Sequence, residues 1–202
     1  MKVRLFRPRR DSQIIIFKPR NFPGFYFTTM SYINIEIKAR TGRQEFIREY
    51  LRKAKAEFKG RDVQTDTSFV LPSGRLKLRQ GAIENNLIWY ERPNQAGVKQ
   101  SDFLLTPVAN GEELKSILQK ALGIKVTVIK KREIYYIGNV KFHIDELEGL
   151  GHFVEIEAGN KLADVPVEKL QEQCRFYMEE FGIKKEDLLA NSYSDMLLED
   201  SK

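Results

Sequence analysis

The sequence predicts an α+β fold, an antiparallel β-barrel of about eight strands with a polar interior, flanked by amphipathic helices. The first observation behind this is a set of strand-like stretches with a polar or charged residue at every second position. They are Ile33-Asn34-Ile35-Glu36-Ile37-Lys38-Ala39, Leu76-Lys77-Leu78-Arg79, Ile129-Lys130-Lys131-Arg132 and Val154-Glu155-Ile156-Glu157. Residues two apart in a strand point to one face. Asn34, Glu36 and Lys38 therefore share a face, as do Lys77 with Arg79, Lys130 with Arg132, and Glu155 with Glu157. The second observation is that both signs of charge recur in this way from residue 34 to residue 157, so that a curled sheet would gather them on a common inner surface. The third is that amphipathic helical stretches interrupt an otherwise strand-rich chain, as they must if helices cover the apolar outer faces.

Taken in order, the chain opens with a strand at 33–40. A helix is expected at 42–58, with Phe46, Tyr50, Leu51, Ala54 and Phe58 on one stripe and Gly60 beyond its end. Residues 63–70 alternate again, and Leu71-Pro72-Ser73-Gly74 turns into a strand at 75–80. A polar link with Asn85-Asn86 leads to a strand at 87–92, a loop at 93–97 and a strand at 100–106. Residues 110–122 read as a second helix, with Glu112 and Glu113 at its positive end, Leu114, Ile117, Leu118 and Ala121 as its stripe, and Gly123 as its cap. Strands are expected at 125–132, 133–138 and 140–146, the last two joined by Gly138-Asn139, then at 152–158. A third helix spans 167–181, and 185–198 reads as a short helix and a docked tail.

Length allows one domain, and no apolar run approaches the roughly 20 residues of a membrane-spanning helix. Cys174 is the single cysteine, which excludes an internal disulfide and fits a reducing, cytoplasmic setting. The net charge of +6 does not indicate a nucleic-acid binder. Residues 1–29 hold Lys2, Arg4, Arg7, Arg9, Arg10, Lys18 and Arg20 against Asp11 alone, and residues 30–202 balance 27 basic against 27 acidic side chains. The expectation is a leader at 1–29, disordered or a mis-assigned start with Met30 as the functional one, and a single domain at 30–202.

The expected lumen collects Asn34, Glu36, Lys38, Lys77, Arg79, Tyr90, Arg92, Lys130, Arg132, His143, Asp145, Glu155 and Glu157. Lys and Arg donate hydrogen bonds and suit a dense anion such as phosphate. Carboxylates suit a hard divalent cation, Mg²⁺ or Mn²⁺, whose shell the phosphates complete. The bland alternative is a set of ordinary wetted strand faces with cross-strand ion pairs. That alternative leaves the apolar faces in need of a core of their own.

These residues resemble the CYTH domain, the group that includes class IV adenylyl cyclases and thiamine triphosphatases among the triphosphate tunnel metalloenzymes. The resemblance covers residues 31–198 and is closest to the class IV cyclase branch. It rests on Asn34-Ile-Glu36-Ile-Lys38, Gln64-Thr-Asp66-Thr-Ser-Phe69, Gly74-Arg75-Leu-Lys77-Leu-Arg79 and Tyr90-Glu91-Arg92-Pro93. It continues through Ser101-Asp102-Phe103, Lys130-Lys-Arg132, His143-Ile-Asp145, Leu150-Gly151-His-Phe153-Val-Glu155-Ile-Glu157 and Ser192-Tyr193-Ser-Asp195. The resemblance implies an antiparallel eight-stranded tunnel, a divalent cation (Mg²⁺ or Mn²⁺) and a triphosphate-bearing small molecule such as ATP. From the charge balance and the absence of a long apolar run, neither nucleic acid nor membrane is expected as a partner, and a homodimer is an open expectation. Glu36, Glu155 and Glu157, with Asp145 as a fourth, would hold the metal. Lys38, Lys77, Arg79, Arg92, Lys130 and Arg132 would hold the phosphates, with Lys38, Arg92, Lys130 and Arg132 serving the chemistry. The family signature is Glu-x-Glu-x-Lys, and Asn34 stands where its first Glu would be, removing one negative charge from the cation site. The implied reactions are cyclisation of ATP to cyclic AMP and pyrophosphate or, alternatively, hydrolysis of inorganic or thiamine triphosphate. A non-catalytic triphosphate- or polyphosphate-binding module is the reading that Asn34 motivates.

Overall fold

The computed structural model describes residues 32–91, 95–160 and 165–200. Its strands are β1 (Tyr32–Arg40), β2 (Glu57–Phe69), β3 (Arg75–Gln80), β4 (Asn86–Glu91), β5 (Lys99–Pro107), β6 (Ile124–Ile137), β7 (Val140–Leu147) and β8 (Gly151–Gly159). All neighbours run antiparallel, in the order β1-β5-β4-β3-β2-β6-β7-β8, and β8 returns to β1 to close the barrel. The expected α+β barrel is therefore the observed one. The helices are α1 (Gln44–Lys53), α2 (Gly111–Leu122), α3 (Val167–Glu180) and α4 (Tyr193–Asp200).

The main apolar core lies outside the barrel. Ile35, Ile37 and Ala39 of β1, Val140, Phe142 and Ile144 of β7, and Val154, Ile156 and Ala158 of β8 turn outward. They pack under Ile47 and Leu51 of α1, Leu170 and Cys174 of α3, and Phe181 and Ile183 beyond it. Cys174 is buried there with Sγ 3.2 Å from the Ile35 carbonyl, and burial pushes its thiol up to about 12. It is a packed, unreactive thiol. A second cluster joins Tyr193 and Met196 of α4 to Val128, Leu147, Leu150 and Phe153 at one end of the barrel. Because the apolar half of β1, β7 and β8 is used on the outside, their polar half has to face in.

Three local expectations differ from what is observed. The helix expected at 42–58 stops at Lys53, and the backbone turns through Lys55 at φ 55° into β2. The segment 57–58 pairs with Tyr136 and Tyr135 of β6, so sheet pairing overrides the helix propensity of the run, and Phe58 stacks on Tyr135 at 4.7 Å instead of joining a helix stripe. The strands expected at 125–132 and 133–138 are one strand, β6. Its outward face is wet at Ile129 and Lys131 and covered at Glu133, which changes the polarity pattern without breaking the chain. The α2 stripe is not buried, and Ile117 stays 62% exposed. The expected leader at 1–29 lies outside the described residues.

Candidate active site

The barrel encloses a cavity of about 430 Å³, open to solvent and lined mainly by inward-facing strand residues, with Glu84, Asn139, Ser192, Tyr193 and Ser194 added from outside the strands. Of the residues expected in the lumen, Asn34, Glu36, Lys38, Lys77, Arg79, Tyr90, Lys130, Arg132, Glu155 and Glu157 line it. His143 and Asp145 are buried in the wall behind it, and Arg92 lies outside the described residues. Register explains the gathering. Glu36 sits opposite Glu157 and Lys38 opposite Glu155 on the β1–β8 pair, and His143 lies opposite Glu155 on β7–β8. Arg132 faces Asp145 on β6–β7.

The wall divides into two charged clusters. In the first, Asp66 of β2 accepts from Arg79 Nε at 2.9 Å and Nη2 at 3.1 Å, from Lys130 Nζ at 2.7 Å and from Lys77 Nζ at 3.2 Å. Burial raises the Asp66 carboxyl, but the Arg79, Lys130 and Lys77 charges overcome that and hold it well below its ordinary value. Lys130 shows the reverse balance. Burial, with Arg79, Arg132 and Lys77 adding repulsion, outweighs Asp66 and lowers its ammonium to about 7. Glu84, from the β3–β4 loop, bridges Arg79 Nη1 at 2.8 Å and Lys141 Nζ.

In the second cluster Arg132 grips Asp145 with two parallel bonds, Nε to Oδ1 at 2.7 Å and Nη2 to Oδ2 at 2.5 Å, and donates to Glu155 Oε2 at 2.8 Å. Lys38 pairs with Glu155 Oε1 and lies 3.6 Å from the centre of the Tyr193 ring. The Tyr193 hydroxyl donates to Asp145 Oδ2 at 2.8 Å. His143 directs Nδ1 at Glu155 Oε2, 3.0 Å away, and at Glu157 Oε1, 3.4 Å away. Burial raises the Glu157 carboxyl and the neighbouring His143 and Lys141 lower it, leaving it at about 2.

Glu36, Glu155 and Glu157 form a carboxylate edge along β1 and β8, and ligand atoms of His143, Glu155 and Glu157 lie within 4.8 Å of one another. Oxygen donors that stay ionised suit a hard divalent ion, and the donor chemistry fits Mg²⁺ or Mn²⁺. Glu157 is the more open of the two β8 carboxylates, 22% exposed at its side chain against 8% for Glu155. Asp145, expected as a fourth ligand, has both oxygens engaged by Arg132 and Tyr193, and Glu155 likewise has Oε1 on Lys38 and Oε2 on Arg132 and His143, so a cation at Glu155 would have to displace one of these partners. Asn34 lines the cavity between Ser101 and Gly159 in register, with no charge to offer.

Reasoning from sequence missed Asp66, Glu84, Lys141 and Tyr193. Lys141 shares the parity of His143 and Asp145 on β7, so strand alternation alone could have found it. Asp66 stands between threonines that face outward, which hides the polar–apolar contrast. Glu84 reaches in from a loop, where no period exists.

The CYTH domain family model matches residues 32–193. A Methanocaldococcus jannaschii protein, provisionally named an adenylate cyclase, is 26% identical over 174 residues, 81% of this chain and 98% of its own. The solved PH1012 protein of Pyrococcus horikoshii OT3 superposes with TM-score 0.67 at 24% identity, covering 80% of this chain and 98% of its own. A Hippeastrum protein, described as a provisional adenylyl cyclase with a dominant triphosphatase activity, superposes with TM-score 0.55 at 14% identity, over 84% of this chain and 95% of its own.

Proposed function

Because the chain belongs to the CYTH domain family, we propose that it is a divalent-metal-dependent enzyme acting on a triphosphate, in the manner of a class IV adenylyl cyclase. The carrying observation is the juxtaposition in one lumen of a cationic wall and a carboxylate edge. Among the described residues, six cationic side chains (Lys38, Lys77, Arg79, Lys130, Arg132, Lys141) and five anionic ones (Glu36, Asp66, Glu84, Glu155, Glu157) line it. A bare triphosphate would be repelled by those acids. A metal–triphosphate complex meets both halves, its oxygens on the Lys/Arg wall and its cation on the carboxylates.

Glu36, Glu155 and Glu157 would hold Mg²⁺ or Mn²⁺, which when bound neutralises phosphoryl oxygen charge and orients the chain of phosphates. The protein's own part is positioning and electrostatic stabilisation. Lys77, Arg79 and Lys130 grip one end of the phosphate chain, and Lys38 and Arg132 grip the other. In the cyclase reaction the 3′ oxygen bonds to the α-phosphorus, the α-phosphorus–bridging-oxygen bond breaks, and pyrophosphate leaves with its charge met by these cations. The hydroxyl proton passes to water.

Hydrolysis of the terminal phosphate is the second reading, favoured by the same cations and by the activity described for the Hippeastrum protein. The purified full chain, incubated with Mg²⁺ or Mn²⁺ and ATP, inorganic tripolyphosphate or thiamine triphosphate, separates the two. Cyclic AMP with pyrophosphate supports the cyclase, and free phosphate supports the hydrolase. Glu157→Gln should lower either activity by about 100-fold or more, on the order of losing one electrostatic contact to the reacting assembly. A chain that turns over none of the three, yet gains activity on Asn34→Glu, would instead be a binding module with a degenerate cation site.

A further inference from the structure

On β2, Asp62, Gln64 and Asp66 share one parity and lie opposite Arg132, Lys130 and Val128 of β6, which all line the cavity. Asp66 lines it too, but Asp62 and Gln64 are buried away from it. What covers them is the loop between β3 and β4, residues 81–85, and Asp62 holds that loop down. Its Oδ1 accepts the backbone N–H of Ala82 at 2.8 Å, and its Oδ2 accepts those of Ile83 and Glu84, both at 3.2 Å. A buried carboxylate taking three backbone donors is a firm anchor. A Cβ at Gly81 would overlap the same carboxylate, so glycine is what lets the loop approach so closely. Asn85 closes the loop on itself, its side-chain amide donating to the Gly81 carbonyl at 2.9 Å.

The loop so fixed delivers one charge to the lumen. Glu84 accepts from Arg79 Nη1 at 2.8 Å, from Gln64 Nε2 at 2.9 Å and from Lys141 Nζ. Arg79 belongs to β3 and Lys141 to β7, with β2 and β6 between them, so one loop carboxylate spans the wall. Burial raises the Glu84 carboxyl, but the Lys141 and Arg79 charges outweigh that and hold it far below its ordinary value. It is a permanent anion.

The cationic wall is thereby bounded at both ends of β3. At the start of the strand Arg75 bonds Ser192 and Asp195, at 3.1 and 2.9 Å, where α4 packs. Beyond its last residue, Gln80, stands Glu84. Lys77 and Arg79 lie between, and Lys130 joins them on Asp66. A phosphate chain laid on these three cations can grow toward the loop only by bringing phosphoryl oxygens against a fixed carboxylate. Cations alone would favour ever longer polyanions, and selectivity against them needs a repulsive group of this kind.

We infer that Glu84 is a specificity-determining residue, a fixed anion that limits the length of the phosphate chain the lumen accepts, and that Asp62 is the positioning residue that keeps it there. The inference rests on the triphosphate reading of the same cavity and adds a length limit to it.

The test is calorimetric titration of the full chain on ice in Mg²⁺, with inorganic tripolyphosphate and with inorganic tetrapolyphosphate, the integrity of each ligand being followed by chromatography. The quantity read is the ratio of the two affinities, each variant against the parent, so that the extra charge of the longer ligand cancels. Glu84→Gln, nearly the same shape without the charge, should shift that ratio toward tetrapolyphosphate by about tenfold, the order expected for removing one like charge near the chain's end. Asp62→Asn keeps Glu84 but loosens its loop, and should shift the ratio the same way by about two- to fivefold. A purely structural loss would weaken both ligands alike and leave the ratio where it was. An unchanged ratio in Glu84→Gln would overturn the length limit while leaving a triphosphate-binding tunnel in place. A shift in Glu84→Gln that Asp62→Asn does not share would overturn the role of Asp62. Binding of neither ligand to the parent would remove the triphosphate reading itself, and the limit with it.

Discussion

Lys77, Arg79 and Lys130 converge on Asp66, so the state of each cation depends on how much of that carboxylate it receives. Arg79 takes both oxygens, and Lys130, on the same carboxylate but with Arg79, Arg132 and Lys77 close by, is left at about 7. Below that value it is an ammonium, and above it a neutral amine with far less hold on an anion. Binding a phosphate chain adds negative charge beside it and favours the protonated form, so binding takes up a proton as pH rises past its free-state value. Affinity for tripolyphosphate is therefore expected to fall by up to about tenfold per unit from about pH 7 to about pH 9, beyond whatever slope the ligand's own ionisation gives in the Lys130→Arg variant. Lys130→Arg, whose guanidinium stays charged, should flatten that slope. Titrations in buffers of different ionisation enthalpy would count the proton directly. A slope unchanged in the arginine variant would show that Lys130 does not titrate in this range.

At the scale of elements, α4 packs at one end of the barrel and is tied to the site by its first turn and by the residues just before it. Leu189 donates its backbone N–H to Lys38 O at 2.9 Å, and the buried Lys99 ammonium holds the carbonyls of Leu189 and Ala190 at 2.7 and 2.9 Å. Arg75 bonds Asp195 at 2.9 Å, and Ser192 also bonds Asp195 at 2.8 Å. Tyr193 then reaches Asp145, which orients Arg132. Tyr193→Phe keeps the ring beneath Lys38 and its packing on Phe153, but removes the hydroxyl. Thermal stability should stay close to that of the parent while triphosphate affinity drops by about two- to tenfold, the worth of one hydrogen bond acting through Arg132. Tyr193→Ala should lose stability as well, and equal affinity in the Phe variant would reduce Tyr193 to a packing residue. Most strands were legible in advance because alternation survives wherever one face is apolar, as in β1 and β8. It failed where the faces were similar or context intervened: the run after Lys53 is helix-prone yet pairs as β2, and β6 changes its outer polarity midway as Glu133 meets Arg48 and Arg61. Tyr193 read as part of a docked tail, since nothing in an aromatic near the end of the chain says that its hydroxyl points inward.

For the whole molecule, the arrangement inverts the usual small barrel: the main apolar core lies outside, under helices, and charged side chains from six strands face the lumen. Stability and function are then carried by opposite faces of the same strands. Ile156 is fully buried beneath α3, while its neighbours Glu155 and Glu157 face the cavity. Deleting the Ile156 side chain to Ala removes apolar contacts and leaves a hole in the outer core, so unfolding free energy should fall by about 2–5 kcal/mol. Lys77→Met on the inner face should change it by no more than about 1 kcal/mol, because Asp66 keeps Arg79 and Lys130 and the lysine side chain is 22% exposed. The same Lys77 variant should weaken tripolyphosphate binding by about tenfold, the order expected for losing one charge-assisted contact. Urea denaturation and calorimetry on the two variants thus give a crossed result, stability lost without a direct luminal change in one and affinity lost without stability in the other. If Lys77→Met instead unfolded the protein as readily as Ile156→Ala, the luminal charges would be part of what holds the barrel shut.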